Sequence, residues 1–320
     1  MVTAPVSVVL FLARYAIFVA FALFYLLVTV SRPGFLSLGN LYDIFIEASL
    51  VSFVAFGEAL VIAVGAVDLS VGNIAGFGAM ATCFLLAEIG FDTTTSILIG
   101  LGLGGLIGAA NGLLVSRLYM NSMIATLGTM FMLVGLLYMI TFGRSIMMLP
   151  PSFTGIGGGD LLGLPIPIIC MAVVFVICHL FIEKTTFGRQ MQMIGGNIEA
   201  SRLSGVGIHN LTFMAFVLCG VLSAMSGIML SSRQGLANVD LGERFLLQAF
   251  TAAMLGTVIF GGRKIIAGTL CGAVFLVSLV NGMTILGAGP QWIYFAQGSL
   301  LLVAILFNYY SKRILARSGR

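Results

Sequence analysis

Phe187-Gly-Arg-Gln-Met-Gln-Met-Ile-Gly-Gly-Asn-Ile-Glu-Ala-Ser-Arg-Leu-Ser-Gly-Val206 is a polar stretch set between two long apolar runs. Its chemistry reads as a short helix. Asn197 is a good N-cap, Glu199 lies in the first turn where the helix dipole favours negative charge, and Gly205 suits a C-terminal stop. That makes a helix of about two turns, roughly 10 Å long at 1.5 Å per residue. Arg202 follows Glu199 by three positions, so the two side chains meet on one face, while Ile198 and Leu203 offer apolar contacts. So short a helix does not hold in isolation. The segments on either side, or a partner, must brace it.

Those neighbouring segments set the fold class. Of 320 residues, 60% are hydrophobic and 8% charged, with a mean hydropathy of +1.14, where soluble chains carry about a quarter charged residues. The chain reads as an all-α polytopic membrane protein. Apolar runs of about 20 residues, the length that crosses a bilayer core of roughly 30 Å, fall near 8–30, 43–65, 71–90, 96–116, 121–141, 164–182, 211–231, 246–260, 266–287 and 291–309. Ten spans are predicted, the eighth being the shortest. The first is too long for the apolar part of a signal peptide and is read as a retained span. The longest intervals between spans, 142–163, rich in Gly and Pro, and 183–210, leave no room for a soluble domain, so 1–320 is expected to form a single transmembrane domain.

Lys and Arg in short loops give the orientation. With both termini inside, Arg117, Lys184, Arg189, Arg202, Arg263, Lys264, Lys312, Arg313, Arg317 and Arg320 are cytoplasmic, against Arg32, Arg144, Arg233 and Arg244 outside. The bias puts the 183–210 loop in the cytoplasm. It also accounts for the net charge of +4, so no nucleic-acid partner is expected. The five cysteines lie within apolar runs without ligand spacing and read as small packing residues. His179 and His209 each stand apart from metal-ligand spacing, so no metal is expected. No catalytic constellation and no GxxxxGK[ST] phosphate loop is present. The chain is therefore not expected to be an enzyme, and any ATP that drives it must be bound by another polypeptide.

Two carboxylates fall inside the apolar sequence. Glu58 lies on the second run, and Asp68 lies in Gly65-Ala66-Val67-Asp68-Leu69-Ser70-Val71-Gly72-Asn73, which reads as a helix break before the third. A charge at the bilayer centre costs about 2.5–3.5 kcal/mol on insertion scales, so such groups face a cavity, an aqueous edge or a partner. Asp68 reads either as the N-cap of the third span or as part of a translocation path or gate. Glu58 reads either as a partner for a polar group across the path or as a snorkelling side chain. Ser70, Asn73, Asn111 and Asn281 are the other candidate path residues. Gly100, Gly104, Gly108 and Gly112 recur every fourth residue, leaving one helix face nearly bare backbone for close packing, inside the protomer or at a dimer seam. Gly104 to Gly108 with Asn111-Gly112 is faintly echoed by Gly268 to Gly272 with Asn281-Gly282.

Three segments together resemble a known family, the membrane permease subunits of bacterial ABC importers for simple sugars, of the ribose and xylose type. They are Val67-Asp68-Leu69-Ser70-Val71-Gly72; Thr186-Phe187-Gly188-Arg189 with Ile194-Gly195-Gly196-Asn197 and Ala200-Ser201-Arg202-Leu203-Ser204-Gly205-Val206; and Gly261-Gly262-Arg263-Lys264 leading to Gly268-Thr269-Leu270 and Asn281-Gly282. The resemblance implies about ten helices in the bacterial inner membrane and a dimer of permeases, identical or related. It also implies a separate ABC ATPase subunit that holds ATP and Mg, and a periplasmic sugar-binding protein. It makes Asn197 to Gly205 the coupling helix on which the ATPase docks, with Gly195, Gly196, Asn197, Glu199, Ala200, Ser201, Arg202, Leu203, Ser204 and Gly205 as the coupling residues. The chain departs from the family at Ala66, Leu255 and Lys264, where glycine is usual. A rival reading, an ion-coupled secondary transporter using Asp68 and Glu58, has no need of such a docking helix.

Overall fold

The computed structural model describes Val19, residues 21–260 and residues 264–317. The chain is built of helices joined by loops, with a single two-residue hairpin among the described residues, and is all-α as its composition implies. Among the described residues, eight helices are long and apolar enough to cross a membrane. They are α2 (Leu38–Ala63), α3 (Val71–Phe84, continued by a π turn, Leu85–Ile89), α4 (Thr93–Ser116), α5 (Ser122–Thr141), α7 (Ile166–Lys184), α10 (Ile208–Gln234), α12 (Ile265–Ile285) and α13 (Pro290–Arg317). The predicted eighth span is the shorter α11 (Glu243–Ile259). Of the predicted first span, the described part is α1, Phe21–Ser31; residues 8–18 lie outside the described residues, as do Gly261, Gly262 and Arg263.

Helix starts follow local capping chemistry. Asp92, Asn121, Thr185 and Asn197 each accept a backbone N–H from the first turn of α4, α5, α8 (Thr186–Gly196) and α9 (Ile198–Leu203) respectively. Between α5 and α7 the predicted Gly- and Pro-rich interval carries a short helix, α6 (Pro151–Gly158), and the hairpin β1 (Asp160–Leu161) with β2 (Leu164–Pro165). α6 docks on the end of α10, where the Ser232 hydroxyl donates to the Phe153 carbonyl and accepts from Gly157 N.

Two helices form the centre. In their most apolar stretches α2 is 89% buried and α10 67%, whereas α4, α5, α7 and α13 are 28% or less and make the periphery. The Gly stripe of α4 explains how the centre closes: a Cβ on Gly104 would lie 2.6 Å from the Gly220 carbonyl oxygen, and one on Gly112 would lie 3.1 Å from Phe213 Cα. α4 therefore lies backbone to backbone on α10, which makes the stripe a packing face within the protomer. α2 crosses α10 in the same way, with Gly57 against Cys219. The end of this core that carries the start of α2 is tied by ion pairs, Arg244 to Glu47 at 2.9 Å and Arg233 to Asp43 at 3.7 Å.

Candidate functional site: a broken span joined to a capped polar helix

α2 ends at Ala63, Gly65 takes a left-handed backbone with φ +80°, and the chain turns back into the bundle before α3 begins at Val71. A break of this kind exposes backbone donors that a buried site must satisfy. Three successive N–H groups find side chains: Val67 N donates to Ser122 Oγ at 3.2 Å, Asp68 N to Glu58 Oε1 at 3.3 Å, and Leu69 N to Thr126 Oγ1 at 3.0 Å. Glu58 lies five residues before the end of α2, so Asp68 sits about 7.5 Å up the helix axis from that end.

Asp68 is not the N-cap of α3. Ser70 holds that position, and Asp68 Oδ1 accepts from both Ser70 N at 2.9 Å and Ser70 Oγ at 2.6 Å, an Asx turn that shapes the chain just ahead of the helix. Its Oδ2 accepts from Asn111 Nδ2 at 3.4 Å, the same Nδ2 donates to Ser70 Oγ at 2.9 Å, and Thr129 Oγ1 donates to Asn111 Oδ1 at 2.6 Å. Glu58, Asp68, Ser70 and Asn111 are all fully buried. Four of the six candidate path residues thus form one polar knot that binds α2, the break, α3, α4 and α5. Glu58 does not snorkel. Its Oε1 serves the break, and its Oε2 has no hydrogen-bond partner among the described residues.

The remaining two candidates stand differently. Asn73 is buried in the first turn of α3, three positions beyond Ser70. Asn281 lies outside the knot: it exchanges side-chain hydrogen bonds with Asn40 at 2.9 and 3.0 Å, and Asn40 Nδ2 also donates to the Phe35 carbonyl, clasping α12 to the start of α2. The faint Asn111 and Asn281 echo therefore marks two different jobs. His179, read as standing alone, lies 3.4 Å from Glu183 one turn further along α7, a pairing that the four-residue spacing carries.

Sequence reasoning missed three parts of this region. One is Ser122, Thr126 and Thr129, which recur at i, i+4 and i+7 and so line one face of α5; their spacing was the available signal. Another is α8, whose buried face of Gly188, Met191 and Ile194 is amphipathic at helical spacing. The third is the 235–242 turn, which brings Gly242, the start of α11, against Gly72, where a Cβ would meet the Gly242 carbonyl oxygen at 2.7 Å. The N-termini of α3 and α11 consequently lie side by side, two partial positive charges next to the knot.

Of the polar stretch 187–206, the first half belongs to α8, and the capped helix expected from Asn197 onward is α9. It spans Ile198–Leu203, is capped by Asn197 Oδ1 accepting from Ala200 N at 3.0 Å, and ends at Gly205 with φ +73°. Glu199 and Arg202 pair at 3.3 Å in the open. Ser201 is buried and donates to the Asn197 carbonyl, Ser204 donates to the Ala200 carbonyl, and Leu203 is 89% exposed. Gly196 faces open space, but a Cβ on Gly195 would come within 2.5 Å of the Ala63 carbonyl oxygen. Through α8, the exposed helix thus rests directly on the end of α2 and on the break that carries Asp68.

Comparison with known proteins gives this geometry a context. Residues 40–305 match the family described as branched-chain amino acid transport system / permease component. The chain is 34% identical over 286 residues to the ribose import permease protein of Bacillus subtilis, covering 88% of each chain. It is 31% identical over 304 residues to the L-arabinose ABC transporter permease protein of Azospirillum brasilense, covering 93% of this chain and 88% of that one. With the ribose import permease protein of Escherichia coli K12 it shares 32% over 294 residues, 88% of this chain and 89% of the other. No solved structure matches. With a family match over most of its length and relatives of this kind covered nearly end to end, the chain belongs to the permease family of ribose-type ABC sugar importers.

Proposed function

We propose that this chain is the membrane subunit of an ATP-driven importer that moves a simple sugar, a pentose, hexose or related small carbohydrate, from the periplasm into the cytoplasm. A separate ATPase docks on residues 197–205 and holds the ATP and Mg; the chain pairs with a second permease subunit and receives sugar from a periplasmic binding protein. Both termini lie in the cytoplasm. The observation that carries the reading is the contact of Gly195 with Ala63 and Gly65, which joins the exposed, capped α9 to the broken span. Closing of the ATPase around ATP displaces α9 as a rigid body, and the helices tied at the Asp68 knot move with it to open the path to one side and then the other. Sugar choice rests mainly with the binding protein, and the path supplies a transient polar passage.

The test is to reconstitute the chain with its ATPase and binding protein in vesicles and replace Glu199 and Arg202 together by Ala. The expected outcome is ATP hydrolysis without sugar uptake, at unchanged yield of inserted protein. Unchanged ATP-driven uptake would remove the docking role. One observation favours a second reading: Glu58 Oε2, buried without a hydrogen-bond partner among the described residues, suits an ion-coupled carrier using Asp68 and Glu58, and that reading requires sugar uptake by the purified chain with no ATP.

A further inference from the structure

Hydrogen-bond accounting divides the six candidate path residues. Glu58, Asp68, Ser70 and Asn111 are spent on the knot, and Asn281 is spent on Asn40. Asn73 differs from the other five. It is 8% exposed, yet neither its side-chain oxygen nor its side-chain nitrogen makes a hydrogen bond among the described residues, and both atoms keep accessible surface. Glu58 Oε2 also lacks a partner, but it is sealed, so nothing from outside the protein reaches it. Asn73 therefore holds two donor hydrogens and an acceptor oxygen unspent and within reach. Native interiors rarely leave such a group unexplained, and lipid offers it no partner.

The amide stands where the broken span restarts. Asn73 lies in the first turn of α3, three positions past Ser70. Ile74 N is the first N–H of that helix to bond a backbone carbonyl, that of Ser70 at 2.8 Å, so the Asn73 N–H adds a further unspent donor beside its own side chain. Next to it, Gly72 meets Gly242 at the start of α11, backbone to backbone. Gln297 is a second buried amide without a hydrogen bond among the described residues, but it lies on α13, at the periphery of the bundle. Asn73 lies next to the knot and α11.

We propose that Asn73 is the residue through which this chain touches the sugar in transit, an inference that rests on the importer reading above. A primary amide and two adjacent ring hydroxyls are matched: the amide oxygen accepts from one hydroxyl while the amide nitrogen donates to its neighbour. Asn73 makes and breaks these bonds without stranding any internal partner, which the other five candidates cannot do. Because α3 begins at the knot, a displacement carried from α9 to the knot also turns Asn73, so contact with the sugar changes in step with the ATPase.

The experiment uses the chain with its ATPase and binding protein in vesicles, offered D-ribose, L-arabinose, D-xylose and D-glucose, and follows the sugar carried fastest. Asn73→Ala is expected to lower the maximal uptake rate about tenfold, the effect of one or two neutral hydrogen bonds. The half-saturating sugar concentration should stay unchanged, since the binding protein sets it, and Asn73→Gln, which keeps the amide, should recover part of the rate. The unfolding midpoint of Asn73→Ala should equal that of the wild type, because no internal bond is lost. In a second arm, Asn73→Cys is made in a chain whose exposed cysteine is removed by Cys271→Ser, and is treated during turnover with a charged methanethiosulfonate that does not cross lipid. Labelling above the Cys271→Ser parent is expected. Wild-type uptake by Asn73→Ala, a lowered midpoint that accounts for its loss, or no labelling above the parent overturns the proposal and leaves the importer reading standing. A wild-type complex that carries none of the four sugars removes that reading and the proposal with it.

Discussion

Gly104→Ala and Gly102→Ala add the same methyl group to the same helix two residues apart, and they are expected to move stability in opposite directions. A Cβ on Gly104 would lie 2.6 Å from the Gly220 carbonyl oxygen and 2.5 Å from Ala224 Cβ, where ordinary contact begins at 3.4 Å. To admit it, α4 and α10 must part by about 0.8 Å, and a gap of about 0.5–1 Å forfeits roughly a quarter to a half of the dispersion energy along the seam. Overpacking of this kind costs about 1–3 kcal/mol, offset by about 1 kcal/mol from the better helix propensity of Ala. Gly104→Ala should therefore lose up to about 2 kcal/mol. Gly102 has nothing within 4 Å, so its variant keeps only the propensity gain of about 1 kcal/mol. Unfolding midpoints of both proteins in one detergent at one concentration, with the oligomeric state followed by size exclusion, read the difference. A Gly104 variant as stable as the Gly102 variant would refute the backbone-to-backbone contact. If instead the Gly104 change split a dimer and left protomer stability intact, the stripe would be a subunit seam.

Neighbouring glycines in α8 give a similar contrast for transport. Gly195→Ala, which sets a methyl against the Ala63 carbonyl oxygen, should reduce ATP-driven uptake in vesicles, and Gly196→Ala, which faces open space, should not; equal uptake by the two would take α8 out of the coupling route. Asn111→Ala removes the bonds with Ser70, Asp68 and Thr129 and leaves Asp68 Oδ2 buried without that donor, so the unfolding midpoint should fall by the equivalent of about 2–4 kcal/mol. A change under about 0.5 kcal/mol, the scatter of neutral substitutions, would mean the knot does not hold α4. For the Asn40–Asn281 clasp, a double-mutant cycle to Ala should give a coupling of about 1 kcal/mol, and zero coupling would show that α12 is held by its apolar contacts alone.

The spans were legible because the bilayer demands about 20 apolar residues per crossing, and α4, α5, α7 and α12 end within three residues of where the hydropathy runs placed them. α9 was legible for a different reason: Asn197, Glu199, Arg202 and Gly205 act within one short segment, so local chemistry suffices. The knot was only half legible. Asp68 and Glu58 announce themselves as acids in apolar sequence, but the bonds that fix the break come from Asn111, Ser122 and Thr126, with separations of up to 57 positions, and Thr129 holds Asn111 in turn. Nothing in a linear pattern says which small polar residue on α5 meets which bare N–H in the break. The N-cap reading of Asp68 failed on the same ground, because an Asx turn and a cap use the same residue type two positions apart. The inward turn at 235–242 escaped notice because its determinant is a pair of glycines, Gly72 and Gly242, whose meeting depends wholly on tertiary packing.

The way glycine is used at the joints bears on how force passes through this molecule. Where two helices meet through long side chains, a small displacement is absorbed by rotamer changes before the second backbone moves. At Gly195 with Ala63 and Gly65 there is no side chain on the α8 side to absorb it, so a shift of α8 acts on the end of α2 without delay. The next joint is stiff for another reason. Val67, Asp68 and Leu69 spend their N–H groups on α2 and α5, and Asp68 is tied to α4 through Asn111; moving the break alone would strand several buried polar groups at about 1–3 kcal/mol each. The low-cost response is for the ends of α2, α3, α4 and α5 to move together. Beyond the knot, backbone contacts of α4 with α10 and of Gly72 with Gly242 carry the same constraint to the second half of the chain. A packing built this way favours two alternative arrangements of rigid groups over a gradual bend, which is the behaviour that alternating access by a permease requires.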